Sequence, residues 1–288
     1  MNEKIPRRDR LRADDRPYGA WKYVLLLTLI SCVVLIPYGW LAKEAFTTAD
    51  GTYGLDNWIF LREETQIRKG VMLPIATKPL LNSLKFAILM TVTIVPVTVC
   101  AAYAMSRTDF FGRKILARLL IIMDAFPQVA LLTSFVILLS KMHLTNKLIG
   151  VVLLKVAMYL PGSIWLMKGF FDHVNWDMEW ASIVDGASRF KTFFRIIVPA
   201  AKPGIAVILV NSFLSGWGQY MLISLFIYGK TTTMSSIIGK MFDYDDMKYT
   251  VSLGVMAAAS LAYIIPVIIV FMISQKTLLE VRQGGSKQ

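Results

Sequence analysis

Asn211, Ser212, Ser215, Trp217, Gln219 and Tyr220 fall within ten residues of one apolar segment, with Gly216 and Gly218 between them. Amides and hydroxyls donate and accept hydrogen bonds, and the two aromatic rings offer flat apolar faces. That combination could hold a polyhydroxylated solute such as a sugar. The same residue types also join helices inside a membrane, where small side chains allow close approach and polar ones bond across. A solute path and a packing seam both remain open. The candidate path comprises Lys155, Asn211, Ser215, Trp217, Gln219 and Tyr220.

Lys155 is the most informative single charge. It stands about seven residues, or roughly 10 Å, into an otherwise uncharged helical run. A lysine near the bilayer centre costs about 2.5–3.5 kcal/mol on insertion scales, so it is expected to face protein or a water-filled cavity. Three roles compete. Lys155 snorkels outward, pairs with a carboxylate such as Asp124, or meets an anionic substrate. The third would favour acidic sugars such as uronate oligosaccharides.

Covalent and metal chemistry find no support. His143 and His173 lie in loops without ligand partners at metal spacing. Cys32 and Cys100 lie inside apolar runs and read as small packing residues. No Walker-type glycine loop occurs, and the terminal "RQGGSKQ" is not one. We therefore assign no catalytic residue, no metal site and no cofactor to this chain.

The elements that must position these residues are apolar. Of 288 residues, 56% are hydrophobic and 17% charged, with mean hydropathy +0.56. Uncharged runs cover Tyr23–Ala42, Phe86–Ser106, Gly204–Gly229 and Tyr249–Gln275. Leu119–Ser140 is interrupted only by Asp124, and Leu148–Met167 only by Lys155. About 20 apolar residues cross a bilayer as helix. The reading is an all-α integral membrane protein with six spans, near 21–42, 82–106, 117–140, 148–168, 203–229 and 249–277. They form one domain over 21–280, between tails at 1–20 and 281–288. The first run is too long for a signal-peptide core and lacks a small-residue cleavage site, so it is read as a retained helix.

The net charge of +12 would suggest nucleic acid in a soluble protein. Here Lys and Arg concentrate in residues 1–22, 107–118, 168–202 and the tail from Lys276. The positive-inside rule puts those segments, and both termini, in the cytoplasm.

The loop at about 172–200 then faces the cytoplasm. It reads as two short helices. Trp176, Trp180, Ile183 and Val184 share one side of the first. Gly186 suits a left-handed turn, and Ser188 an N-cap. Phe190, Phe193, Phe194 and Ile197 follow at i, i+3, i+4 and i+7, an apolar stripe. Pro199 and Pro203 re-aim the chain. Ala181, Ser182, Gly186 and Ala187 keep the turn thin enough to enter a groove on another protein. The pattern equally suits a helix lying on lipid headgroups.

"EWASIVDGASRFKTFFRIIVP" resembles the cytoplasmic loop of ATP-binding-cassette importer permeases, with its pattern Glu-Ala-Ala, three residues, Gly, then Ile-x-Leu-Pro. Trp180-Ala181-Ser182 take the first three places, Gly186 the glycine, and Ile196-Ile197-Val198-Pro199 the end. Trp180 stands where the family has glutamate; Glu179 is one residue early. "LNSLKFAILMTVTIVPVTVCAAYAMSRTDFFGRK", "LLSKMHLTNKLIGVVLLKVAMYLPGSIWLMKGFFDHV" and "FLSGWGQYMLISLFI" are similar to the six-helix, maltose-type sugar permeases. The resemblance implies a type I importer permease in a bacterial cytoplasmic (inner) membrane, with an alginate-type importer a candidate. It implies a second related permease, two ATPase subunits and an extracytoplasmic binding protein. ATP and Mg would bind those ATPases. The ATPase-coupling residues would be Trp180, Ala181, Ser182, Asp185, Gly186, Ala187, Phe190, Phe193 and Pro199.

Alternatives are a permease for a polyol, amino acid or anion, a secondary transporter, a membrane enzyme or a structural subunit. A secondary transporter would have only Asp124 and Lys155 for an ion relay. An enzyme would need a polar cluster the chain lacks.

Overall fold

The computed structural model describes residues 20–68, 71–227, 233–241 and 252–284. The N-terminal tail to residue 19, the last four residues and most of the connection between the fifth and sixth expected spans lie outside them.

Among the described residues four helices are each long and apolar enough to span: α1 (Ala20–Phe46), α2 (Thr77–Arg107), α5 (Leu148–Asp172) and α12 (Leu253–Gly284). Each contains a proline: Pro37, Pro96, Pro161 and Pro266. Neighbouring helices can satisfy the carbonyls that proline frees. Pro161–Gly162, which reads as a break in the sequence, leaves α5 a single helix.

The third expected span is not one helix. α3 (Arg113–Asp124) and the segment Gln128–Lys141 meet at 94°. That segment begins as a 3-10 turn, Gln128–Leu131, and continues as α4 (Leu132–Lys141). Pro127 is extended, with ψ 116, and has no N–H to continue the α3 ladder.

The fifth expected span is interrupted too. α9 (Lys202–Trp217) has sixteen residues, about 24 Å of helix. The chain turns through Gly218, Gln219 and Tyr220 into α10 (Met221–Phe226). The second bent pair is Arg189–Ala200 with α9, at 74°, and counting each bent pair as one span gives up to six among the described residues.

α2 is the central post. Phe86, Met90 and Ile94 are fully buried along it, and Thr98 shares a 2.9 Å hydrogen bond with Ser163 of α5. On its other side Gly216 of α9 lies so close that a Cβ there would stand 2.9 Å from the Ala87 Cα. Without a hydrophobic drive between helices in lipid, such close packing is what holds them. α11 (Met234–Met241) tucks against α2, where the Met234 N–H donates to Ser83 Oγ at 2.9 Å.

The connection after α1 is a folded scaffold. A 3-10 helix, Asp56–Leu61, precedes a two-stranded antiparallel pair, β1 (Thr65–Arg68) and β2 (Val71–Leu73). Asn57 donates to the carbonyls of Ala45 and Thr47 at the end of α1 and is seated against Gly254 of α12.

Candidate functional site: the coupling loop and the solute path

The loop after α5 folds as two helices braced on each other. α6 (Trp176–Val184) starts at Asn175, whose side chain accepts from the Asp177 N–H at 2.9 Å. It ends at Gly186, with φ +83. Ser188 then caps α7 (Arg189–Thr192) by accepting from the Lys191 N–H at 3.3 Å. A π turn over Phe193–Ile197 leads to α8 (Val198–Ala200), and the chain turns by 74° into α9. Ser182 and Thr192, both buried, share a 2.9 Å hydrogen bond that ties α6 to α7.

The expected phenylalanine stripe divides. Phe193 and Ile197 are buried, whereas Phe190 and Phe194 are 75% and 51% exposed. The Phe193 ring sits 4.6 Å from the Tyr103 ring of α2. A stripe of α-helical spacing is wide, and here one edge faces the protein and the other faces out. The π turn also loosens the 3.6-residue stacking on which the reading rested. Of the nine expected coupling residues, Ser182 and Phe193 therefore face inward. Trp180, Ala181, Asp185, Gly186, Phe190 and Pro199 are exposed and Ala187 is partly so. Among the exposed side chains of the two helices, Trp180, Val184 and Phe190 are large and apolar.

Glu179, which the sequence places one residue early for the family pattern, anchors this loop together with Tyr103 and Arg107, which the sequence did not single out. Glu179 is buried on the inner side of α6. It accepts from the Tyr103 hydroxyl at 2.8 Å and lies 3.5 Å from Arg107 Nε. Arg107 ends α2, and its Nη2 donates to the carbonyls of Phe171 and Val174 at 2.9 and 2.5 Å. Its guanidinium stacks 4.3 Å over the Trp176 ring. Beside it Ser106 donates to Asp172 at 2.6 Å. The available signal was an arginine ending one span and a glutamate on the inner side of the next loop's helix.

The expected path residues differ in burial. Trp217 is a core residue, 2% exposed, stacked between Phe213 and Tyr263. Its Nε1 donates to the Tyr263 carbonyl, and the Tyr263 hydroxyl donates back to the Trp217 carbonyl. That reciprocal pair makes it a packing residue. Gln219 is buried in the α9–α10 break, and its carbonyl accepts from Ser235 at 3.2 Å. Tyr220 lies against Gly239 with part of its ring exposed, Asn211 is exposed and Ser215 half-buried.

Lys155 is only 8% exposed, which excludes snorkelling. Among the described residues it makes no ion pair. Asp124 instead packs on Gly162, seven residues further along α5, and lines a cavity of about 170 Å3 with Gln128, Phe126, Phe135, Met158 and Pro161. Seven residues are about 10 Å of helix, so the two charges sit at different depths. Among the described residues no His, Cys, Asp and Glu group could hold a metal.

Residues 94–279 match the model of the binding-protein-dependent transport system inner membrane component family. The chain belongs to this family. It is a multi-pass inner-membrane permease of the ATP-binding-cassette importer class, a component of a binding-protein-dependent transport system and not an enzyme. It is 29% identical over 207 residues to the galactooligosaccharides transport system permease protein GanQ of Bacillus subtilis (strain 168), covering 72% of each chain. It is 26% identical over 273 residues to the trehalose transport system permease protein SugB of Mycobacterium tuberculosis (strain CDC 1551 / Oshkosh), covering 92% of this chain and 96% of that one. Its fold matches a chain in the crystal structure of a bacterial ABC transporter involved in the import of the acidic polysaccharide alginate. The TM-score is 0.71 at 18% identity, over 96% of this chain and 99% of that one.

Proposed function

We propose that this permease carries an oligosaccharide and forms half of its path, the other half being a second, related permease. The relatives named for galactooligosaccharides and trehalose support a carbohydrate. The observation that carries the coupling is the exposure of Trp180, Val184 and Phe190 on a loop pinned to two spans. Large apolar side chains on a rigid base suit the groove of another protein better than a lipid surface, which needs no rigid base. ATP and Mg bind the ATPase subunits, and this chain holds neither. Both termini face the cytoplasm, following the distribution of Lys and Arg.

An acidic oligosaccharide is the favoured substrate. Lys155 is a buried cation with no counter-ion among the described residues, and a substrate carboxylate would supply one. The test is ATP hydrolysis by the complete assembly in lipid, with binding protein loaded with uronic or neutral oligosaccharides. Stimulation by the uronic class alone is expected. Stimulation by neutral sugars alone overturns the acidic assignment, and failure of the chain to copurify with an ATPase overturns the coupling.

A further inference from the structure

We infer that Arg107 and Glu179 are positioning residues that clamp the coupling helix α6 to the cytoplasmic ends of α2 and α5. The inference rests on the importer reading above and adds to it how the loop's motion reaches the spans. Only His173, Val174 and Asn175 connect α5 to α6, and three residues of backbone make a hinge, not a lever. The stiffness has to come from side chains. Arg107 joins three elements at once. It is part of α2, holds the α5 end through the Phe171 and Val174 carbonyls, and meets α6 through Glu179 and the Trp176 ring. Tyr103, one turn earlier, holds the other carboxylate oxygen of Glu179 and packs on Phe193, so the second coupling helix is gripped as well.

The clamp is buried but not closed. The Arg107–Glu179 separation of 3.5 Å exceeds an ordinary N–H···O distance. Arg107 Nε and Nη1 and Glu179 Oε2 have no hydrogen-bond partner among the described residues. Buried charged groups with spare capacity are expensive to hold in one state. A small displacement of α6 towards α2 would bring Nε and Oε2 into bonding distance. The pair is thus placed to tighten when an ATPase pushes on Trp180, Val184 and Phe190. It also explains the departure from the family pattern, since the glutamate one residue early points into the protein and leaves Trp180 outside.

The test uses Glu179→Gln, which keeps shape and removes charge, and Arg107→Lys, which keeps charge and loses the fork and the ring stacking. In the complete assembly both are expected to copurify with the ATPase and hydrolyse ATP at the basal rate. Solute moved per ATP is expected to fall about tenfold, the size of an ordinary inter-site coupling. Tyr103→Phe keeps the ring between Phe171 and Phe193 and serves if the charged variants do not accumulate; it is expected to lower the same ratio by a smaller factor. Unchanged transport per ATP in the variants that accumulate overturns the clamp, as does loss of the ATPase, which would make the pair part of docking. A second readout needs no partner. With Cys32 and Cys100 replaced, spin labels at positions 111 and 184 of the full chain in lipid are expected to give one narrow distance that Glu179→Gln broadens. A broad distance in the unaltered pair of residues overturns the clamp even if the importer reading stands.

Discussion

Gly186 has φ +83 and no heavy atom within 4 Å of where a Cβ would lie. A substitution there meets a conformational cost and no clash. Left-handed backbone is tolerated by asparagine and disfavoured for β-branched residues by roughly 1–3 kcal/mol. Gly186→Asn is therefore expected to keep most ATP-driven uptake, and Gly186→Val to lose it while the protein stays in the membrane at normal level. Equal uptake by the two variants would mean that the turn is not the part that moves. Lys155 gives a second prediction. Lys155→Met removes the charge at similar volume, and uptake of uronic oligosaccharides is expected to fall at least about tenfold with neutral sugars unaffected. Unchanged uptake of every acidic sugar removes the charge argument. The turn was legible in the sequence because its rules are local: one glycine and one capping serine decide it. The role of Lys155 was not, because depth along a helix does not reveal what lies across from it.

The elements follow local rules less closely where the backbone changes pitch or stops. Apolar run length located four spans that are single helices, but the third expected span is bent at Pro127 and the fifth stops at Trp217 before α10. Run length cannot report a bend, because it carries no information on backbone direction. The π turn had a similar effect on the phenylalanine stripe, since helical spacing assumes a pitch that the turn does not keep. Trp217 looked like a path residue because its neighbours are polar; only the packing of α9 on α12 reveals its ring between Phe213 and Tyr263. Two predictions belong at this scale. Gly216→Leu would push side-chain atoms against the α2 backbone, and overpacking of this kind costs about 1–3 kcal/mol. A lowered thermal transition of the purified protein in detergent checks it, and an unchanged one would mean that α9 can withdraw from α2. Phe190→Asp puts a charge among the exposed apolar side chains. ATPase recovered with the chain is expected to fall about tenfold, as for a buried anchor of an interface. Full recovery would place these side chains on lipid.

For the whole molecule, charge distribution makes a topological prediction. A reporter active only in the cytoplasm, fused to either terminus, is expected to be active, and one fused after Tyr53 silent. Activity at position 53 would invert the bundle and put α6 and α7 outside. The six-span architecture was legible from hydropathy. The assembly order is not, and α1 determines it. That helix packs chiefly on α12 and on the 3-10 helix Asp56–Leu61, so the first helix made rests on the last. At about 5–20 residues per second a ribosome takes on the order of ten seconds or more to reach α12. Throughout that interval α1 must remain in the bilayer without its neighbour. Its mean hydropathy of 2.3 allows this, and most of its length stays exposed in the finished fold, with Leu41 and Ala45 near its end packing into the cluster that α12 completes.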